Sequence, residues 1–198
     1  MRPAADGKLH LRFSKFVGPT PPQDGPILNA LEIVPGIPGR MRPLRIVAQT
    51  NSYTDRNGQV WGPDLYASQG RLALHNRTVE QTTDPGLYYG ERYGHFTYAI
   101  PVATERQYGL TLHFAETYFG PQNPGHGGAG SRVFNVYCNG VTLLRNFDIF
   151  KEAEGANRAI EKTFHALPAS AMGKLVLTFV PVKNYACINA IEVIDETR

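Results

Sequence analysis

The sequence has little charge. Only 19% of its 198 residues are charged, and 20 Lys and Arg against 17 Asp and Glu leave a net charge of +3. The basic residues are dispersed, and the densest group, Arg40, Arg42 and Arg45, lies beside a Pro- and Gly-rich stretch typical of a linker. Because nucleic-acid binding requires a basic patch or stripe, the charge pattern predicts no nucleic-acid partner.

Long apolar runs and cysteines are also scarce. No stretch approaches the roughly 18 apolar residues of a membrane helix, so no direct membrane insertion is expected. The opening residues, MRPAADGKLH, lack the apolar core of a signal peptide, although a removed signal would leave the same sequence. Cys138 and Cys187 lie in apolar runs and are expected to be buried free thiols, with a disulfide as the open alternative.

The motifs of several enzyme classes are missing. The glycine-rich segment 120–131 has no Lys of a phosphate-binding loop, and the chain contains no GxSxG, no HExxH and no Cys/His cluster with zinc spacing. No catalytic residue, metal or cofactor is therefore predicted. A small hydrolase stays open as a third hypothesis, because glycoside hydrolysis needs two carboxylates and Glu91, Glu116 and Asp148 are available.

The sequence is instead rich in runs that alternate apolar and polar residues, the pattern of half-buried strands. Strands are predicted at 95–102, 108–116, 132–140, 141–150 and 174–182. Asn139-Gly140 lies between two of these runs and predicts a tight hairpin turn. Helical periodicity is weak, and the best candidate, 152–159, is expected to be a loop or a single turn. The prediction is an all-β fold, a two-sheet antiparallel β-sandwich.

One strand–loop–strand phrase occurs twice. GKLHLRF (7–13) and ILNALEIV (27–34) match GKLVLTF (173–179) and CINAIEVI (187–194). The second pair closes the chain, whereas the first is followed by PGIPGRMRP, which has the composition of a linker.

This repeat predicts a domain boundary. Residues 1–42 resemble the end of a preceding copy of the domain plus a linker, and residues 43–198 form one complete copy, as in a tandem array. The alternative is that the first two strands cover an edge of the same sandwich, because an isolated hairpin is marginal in water.

Several phrases follow one another through the complete copy. They are NSYTDRNGQVWGPD (51–64), LYYGERYGHFTYAIPV (87–102), LTLHFAETYF (110–119), SRVFNVYCNG (131–140), NFDIFKEAEGANRAI (146–160) and INAIEV (188–193). In this order and spacing they resemble the malectin domain family. The resemblance implies a galactose-binding-like β-sandwich, also described as a jelly roll, with a shallow cleft formed by loops at one end.

The resemblance also implies a function. It predicts a non-catalytic carbohydrate-binding module that recognises glucose-containing di- or oligosaccharides and belongs to a larger multidomain protein. An extracellular, periplasmic or secretory-lumen location follows from the same resemblance. Aromatic rings would cover the C–H faces of the sugar while fixed polar groups bind its hydroxyls. The alternative is a protein–protein interaction module of a receptor or surface protein on the same fold.

The sugar contacts implied by the resemblance are mostly aromatic. Tyr88 matches the family's ligand-facing position in the LYxxERY phrase, and Tyr118 and Phe119 match the AExYF phrase. A further family tyrosine is assigned to Tyr66, with a position near Arg71 left open. For each of these aromatics, a place in the core is the structural alternative.

Three more residues complete the predicted site. Asn184 occupies the position of the family's acidic contact, a departure that removes the charge and adds a hydrogen-bond donor. Tyr89 neighbours Tyr88 and would face the ligand if the backbone bends there. Arg92 is assigned to the cleft rim, with a structural pairing as the alternative. The segment 120–131 is expected to be mobile and to shape the cleft mouth, or to be a plain surface insertion.

Overall fold

The computed structural model describes Leu11 and residues 40–197. Residues 40–197 lie in one compact unit, Gly36–Arg198. The first copy of the repeated phrase, at 7–13 and 27–34, falls outside the described residues except for Leu11, so the boundary near residue 43 stays a prediction. No helix within the described part of the chain is long and apolar enough to cross a membrane.

The described residues form an almost entirely β structure. The strands are β1 (Leu44–Val47), β2 (Tyr53–Thr54), β3 (Val60–Trp61), β4 (Ala67–Leu74), β5 (Gly90–Pro101), β6 (Gln107–Ala115), β7 (Val133–Cys138), β8 (Val141–Phe147), β9 (Ala159–Pro168), β10 (Lys174–Lys183), β11 (Ala186–Ile188) and β12 (Ala190–Asp195). A 3-10 helix covers Pro85–Tyr88, and a single α-helical turn, α1, covers Ile149–Glu152. The predicted all-β class is confirmed.

Two antiparallel sheets make up the sandwich. The smaller has the strand order β1-β12-β6-β9. In the larger, β10 pairs with β5 and β7, β7 pairs with β8, and β11 pairs with β5 beyond the end of β10. Because β4 pairs with the same part of β5 as β10 and β11, it must lie along the other edge of β5.

Alternation along the central strands builds the core between the sheets. Leu110, Leu112 and Phe114 of β6 point inward from the smaller sheet, and the larger sheet contributes Phe96 and Phe179, whose rings stack 4.5 Å apart. All are shielded from solvent, as the period-two pattern requires. Cys138 and Cys187 are both buried and free, which confirms the free-thiol prediction and excludes a disulfide.

The predicted strand 187–194 is two strands, because the chain changes sheet at Asn189. β11 belongs to the larger sheet and β12 to the smaller one. The Asn189 side chain is fully buried; its amide donates to the Gly90 carbonyl (2.9 Å), and its Oδ1 accepts from the Ala115 N–H (2.7 Å). A buried amide is stable only when such partners are present, so Asn189 fastens the crossing to both sheets.

A second, smaller core covers the outer face of the smaller sheet. The hairpin β2–β3 and the segment around the 3-10 helix place Trp61 and Tyr88 there, beside Val47 and Ala115. The Trp61 indole N–H donates to Asp55 (3.0 Å), which fixes the hairpin.

The turns on either side of β8 agree with the local predictions. Asn139 and Gly140 form the β7–β8 turn, each with φ in the left-handed region (48° and 82°), as a tight hairpin requires. The segment 152–159 begins at the last residue of α1 and continues as turns into β9, in agreement with the prediction of a loop or single turn.

Candidate functional site

Loops from both sheets converge at one end of the sandwich. The loop after β6 runs through residues 116–132 into β7, and a two-residue link, Asn184-Tyr185, joins β10 to β11. The end of β10 lies beside the start of β7, because Lys183 pairs with Val133. The strand register therefore brings these two connections together.

A buried ion pair holds the two connections. The Arg132 guanidinium donates to Glu116 through Nε (2.6 Å) and Nη2 (3.2 Å), and its Nη1 donates to the Tyr185 carbonyl (2.7 Å). The side chains of Arg132 and Glu116 are 4% and 0% exposed, so this bidentate pair is shielded from water. A charge-assisted pair of this geometry fixes the positions of its neighbours strongly.

Further buried groups surround this pair. Thr117 Oγ1 donates to Glu91 (3.1 Å), and burial raises the pKa of the Glu91 carboxyl, although Arg132 opposes that rise. Burial by itself would lower the pKa of Arg132, but the charge and hydrogen bonds of the Glu116 carboxylate reverse this effect, so the pKa is raised. Arg132 is therefore a fixed cation at the centre of the loop end.

Glu116 also sets the direction of the two predicted aromatics. Its Oε1 accepts from the backbone N–H groups of Tyr118 (3.0 Å) and Phe119 (2.9 Å). The two rings lie edge-to-face with centroids 4.9 Å apart, and the Arg132 guanidinium carbon lies 5.3 Å from the Phe119 centroid. Tyr118 is 48% exposed and Phe119 is partly exposed, so the pair is a rigid aromatic surface.

The glycine-rich segment packs under this surface. Gly125 donates to the Tyr118 carbonyl (2.9 Å), and a Cβ at Gly125 would lie 2.5 Å from the Tyr118 ring. Buried Asn123 exchanges amide hydrogen bonds with Asn157 (3.1 and 3.2 Å) and accepts from Arg77 (3.0 Å). The segment is thus hydrogen-bonded at several points and packs against the aromatic pair; whether it shapes a cleft mouth or is a plain surface insertion stays a prediction.

Asn184 lies in the β10–β11 link, directly before the Tyr185 carbonyl that Arg132 binds. Its Nδ2 donates to the Ser131 carbonyl (2.6 Å), and its φ of 54° places it in the left-handed region, which Asn tolerates better than most residues. The adjacent Tyr185 ring lies 5.8 Å from the Tyr93 ring of β5. Of the predicted set, Phe119 therefore contacts Arg132 directly, Tyr118 packs on Phe119, and Asn184 binds the residue before Arg132.

Tyr88 lies in the second core and not among the exposed residues of the loop end. Its side chain is 0% exposed in the second core, and its hydroxyl lies 3.4 Å from His113 Nδ1. Burial raises the pKa of the Tyr88 phenol above its usual range. The family position falls at the end of a 3-10 helix that turns this ring inward, so a ligand at the surface does not reach it.

The other predicted residues form separate groups. Asp64 accepts from Arg92 through Nε (2.9 Å) and Nη2 (2.5 Å) and from the Tyr98 hydroxyl (2.5 Å), which is the structural pairing left open for Arg92. Tyr66 is exposed near that group, where its carbonyl accepts from the Ala99 N–H (3.0 Å). Tyr89 is exposed at the end of the 3-10 helix, and its carbonyl accepts from the His75 N–H (2.8 Å).

Three residues of the loop end were not predicted from the sequence to belong to the site. Arg132 stands one residue before a strand and showed no signal of its own, while Tyr185 follows the polar residues Lys183 and Asn184 in the link between β10 and β11. Tyr93 sits in the LYYGERYG phrase but was not assigned to the site. The exposed aromatic beside Asn184 was the one signal that could have found Tyr185.

The carboxylates considered for hydrolysis have structural partners. Glu116 pairs with Arg132, Glu91 accepts from Thr117, and Asp148 caps α1 by accepting from the Lys151 N–H (3.1 Å). Within the residues that the structure describes, no group of three or more His, Cys, Asp or Glu is placed to hold a metal ion.

The strand pairing defines the class of the protein, an antiparallel β-sandwich domain with loops gathered at one end. The malectin domain profile matches residues 44–191. Because this match covers well over half of the chain, the protein belongs to the malectin domain family.

Individual relatives agree with this assignment. The chain is 41% identical over 69 residues to malectin-A from Xenopus laevis, covering 34% of this chain and 22% of that protein. It is 26% identical over 165 residues to a probable receptor-like protein kinase from Arabidopsis thaliana, covering 74% of this chain and 19% of the kinase. The ANX2 ectodomain from Arabidopsis thaliana shares the fold, with a TM-score of 0.65, 23% identity and coverage of 78% and 42% of the two chains.

The chain spans a minor part of these curated relatives, between 12% and 22% of their lengths for the first three. Membership of the family indicates a role in carbohydrate binding or in a receptor ectodomain.

Proposed function

We propose that this domain is a non-catalytic carbohydrate-binding module that recognises glucose-type di- or oligosaccharides at the loop end. Tyr118 and Phe119 cover the apolar face of the sugar, and Asn184 binds hydroxyls. The domain works as one part of a larger protein, which the small share of its relatives' lengths supports. Tyr88 is left out of the contacts, and Tyr66, Tyr89 and Arg92 belong to separate surface groups.

One observation carries the proposal: the exposed Tyr118–Phe119 pair is held rigidly by backbone bonds to a buried ion pair. Holding an exposed ring in one direction adds little to the stability of the fold. It does lower the entropy cost of binding a ligand, because the ring is already in place. Flat aromatic surfaces beside a few fixed polar groups are the usual lining of small-ligand sites.

The burial of Glu116 and Glu91 supports the non-catalytic part of the proposal. Glycoside hydrolysis needs one carboxylic acid and one carboxylate on either side of the scissile bond. Both glutamates are less than 10% exposed and hydrogen-bonded within the protein, so neither offers an oxygen to a ligand at the surface.

A protein-binding module is the second candidate function. Exposed Tyr and buried Arg anchors also occur at protein interfaces, and the structural relative ANX2 is a plant receptor-like kinase. The two candidates differ in the ligand that the loop end accepts, so a direct binding measurement separates them.

Titration of the chain with glucose, maltose and nigerose by NMR or calorimetry tests the proposal. We expect saturable binding, weakened at least tenfold by Tyr118→Ala, because about 1.4 kcal/mol is lost with the ring. Met172→Ala is the control: Met172 is 79% exposed and precedes β10, whose far end carries Asn184, about 30 Å away along the strand. No binding to any glucan or galactan at millimolar concentration would refute the proposal and favour a protein ligand.

A further inference from the structure

Two buried carboxylates hold the three residues at the start of the β6–β7 loop. Glu91 of β5 accepts from Thr117 Oγ1 (3.1 Å). Glu116 accepts from the backbone N–H groups of Tyr118 (3.0 Å) and Phe119 (2.9 Å). Glu91 is 6% exposed and Glu116 is 0% exposed. The aromatic pair is therefore presented by a short segment whose anchors are carboxylates shielded from water.

One guanidinium serves both carboxylates. Arg132 donates two hydrogen bonds to Glu116, through Nε (2.6 Å) and Nη2 (3.2 Å), and a third to the Tyr185 carbonyl (2.7 Å). Among the described residues, Glu91 has a hydrogen bond only from the neutral Thr117 hydroxyl, and Arg132 acts on it through its charge alone. If both glutamates are ionised, the buried group therefore carries one negative charge in excess, and a proton on Glu91 makes it neutral.

The other neighbours of Glu91 do not balance that charge. Cys187 of β11 is fully buried, and burial raises the pKa of its thiol well above the usual range, so the thiol stays neutral. In β4 the residue opposite Glu91 is Ala73. The next residue along β5, Arg92, is paired with Asp64 (2.9 Å) and is not available to Glu91.

Ionisation of Glu91 therefore disturbs the anchor of the aromatic pair. Burial raises the pKa of Glu91, with Arg132 opposing the rise and Glu116 adding to it. A buried charge without a strong partner is costly, so an ionised Glu91 draws Arg132 away from Glu116. Because Glu116 is the acceptor for the backbone of Tyr118 and Phe119, a change in its position moves both rings.

We infer that Glu91 is a positioning residue that makes the loop end sensitive to pH: the protonated residue keeps Tyr118 and Phe119 in place, and the ionised residue loosens them and weakens sugar binding. The effect on sugar binding rests on the proposed carbohydrate function. A group with a raised pKa holds its proton at acidic pH and loses it as the pH rises. Sugar affinity is therefore highest at acidic pH and falls as Glu91 ionises.

NMR titration of the free chain between about pH 4 and pH 8 tests the inference without a ligand. We expect the amide signals of Tyr118 and Phe119 to shift with one common midpoint above 4.5, the ordinary pKa of a glutamate. Glu91→Gln is neutral at every pH and should keep both signals at their acidic positions. Thr117→Val removes a hydrogen bond that favours the ionised form, so it should move the midpoint to higher pH.

Maltose titration at the two ends of this pH range tests the effect on binding. We expect the wild-type chain to bind maltose about three- to tenfold more weakly at the higher pH, and Glu91→Gln to keep the acidic affinity throughout. By linkage, saturating maltose should raise the amide midpoint by about 0.5 to 1 in pH. Glu161→Gln is the matched control: the Glu161 side chain is 59% exposed beside His113 on the smaller sheet, so its loss should leave the midpoint unchanged.

Each outcome has a distinct meaning. Amide signals that do not titrate, or that titrate alike in Glu91→Gln, would overturn the inference; a transition caused by His126 of the same loop would persist in that variant. Equal maltose affinities at both pH values would also overturn it, because the position of the pair would then not govern binding. A chain that shows the Glu91 transition but binds no sugar at any pH would refute the carbohydrate function and leave the coupling of Glu91 to the aromatic pair standing.

Discussion

Two aromatic clusters contain the tyrosines that the family motifs single out. The covered cluster consists of Trp61, Tyr88 and His113 on the outer face of the smaller sheet. The loop-end cluster consists of Tyr118, Phe119 and Arg132. Each combines aromatic rings with a basic side chain, but the first is closed to solvent and the second leaves its rings open.

The difference shows what burial does to the same residue type. In the covered cluster, Trp61 lies edge-on to the His113 ring at 5.3 Å and the Tyr88 hydroxyl lies near His113 Nδ1, so the three rings are enclosed within the protein. In the loop-end cluster Arg132 and Glu116 are buried and paired with each other, yet the Tyr118 ring faces water. The covered cluster therefore contributes to stability, and the loop-end cluster is available to a ligand.

The largest expected effect is a difference in the free energy of unfolding between variants of the two clusters. Tyr88→Ala removes a fully buried ring and should lower the free energy of unfolding by about 3–5 kcal/mol, the range for large-to-small core changes. Tyr118→Ala removes an exposed ring and should change it by no more than about 0.5 kcal/mol. Urea unfolding followed by fluorescence measures both. Similar losses in the two variants would show that the clusters do not differ in this way.

The alternation of apolar residues was enough to predict the fold. Buried Leu110, Leu112 and Phe114 repeat with period two, and Asn139-Gly140 marks the hairpin correctly. The change of sheet at Asn189 was not predictable from that pattern, because the apolar alternation continues through it from β11 into β12. Only the strand pairing shows that the two halves of the phrase lie in different sheets.

This finding bears on the repeated phrase. Asn29 of the first copy matches Asn189, whose amide needs partners in β5 and β6. The second copy of the phrase, 187–194, runs from the larger sheet into the smaller one. It is therefore not a hairpin that pairs along the edge of a single sheet. That residues 1–42 end a preceding copy stays a prediction, because the first copy of the phrase falls outside the described residues except for Leu11.

The site was predictable only in part, for a physical reason. Motif position identified Tyr88 and Tyr118 equally well, but the direction of each ring depends on contacts distant in sequence. Tyr118 points outward because Glu116, held by Arg132, accepts its backbone N–H; Tyr88 points inward because Trp61 and His113 surround it. Such tertiary contacts leave no periodic signal in the sequence.

An intermediate effect is expected within the loop-end cluster. A Cβ at Gly125 would lie 2.5 Å from the Tyr118 ring and 2.9 Å from the Phe119 ring, so Gly125→Ala must move both rings. We expect maltose affinity to fall about three- to tenfold, equivalent to roughly 1 kcal/mol, with a stability loss of about 1 kcal/mol from overpacking.

Gly128→Ala is the matched control in the same segment. A Cβ there would make an ordinary contact of 3.4 Å with the Phe150 ring and would not touch Tyr118 or Phe119. It should therefore leave maltose affinity unchanged. Equal affinities for the Gly125→Ala and wild-type chains would mean that the placement of the Tyr118 ring does not matter for binding.

The smallest expected effect is an opposite pH dependence of the two clusters. Hydrogen bonding from His113 lowers the pKa of Glu161 beside the covered cluster, whereas burial raises the pKa of Glu91 beside the loop-end cluster. Both carboxyls have an ordinary value of 4.5. A lowered pKa stabilises the fold above that value and loses this contribution as the pH falls. A raised pKa stabilises the fold below that value and loses this contribution as the pH rises.

Urea unfolding between about pH 4 and pH 7 compares Glu161→Gln with Glu91→Gln. Glu161→Gln should be less stable than the wild type near neutral pH, and the difference should shrink as the pH falls, because the wild type loses the ionised partner of His113. Glu91→Gln keeps a neutral group beside Thr117 and should gain stability relative to the wild type as the pH rises. Parallel pH profiles for the two variants would contradict the contrast, because they would mean that the buried Glu91 and the exposed Glu161 ionise alike.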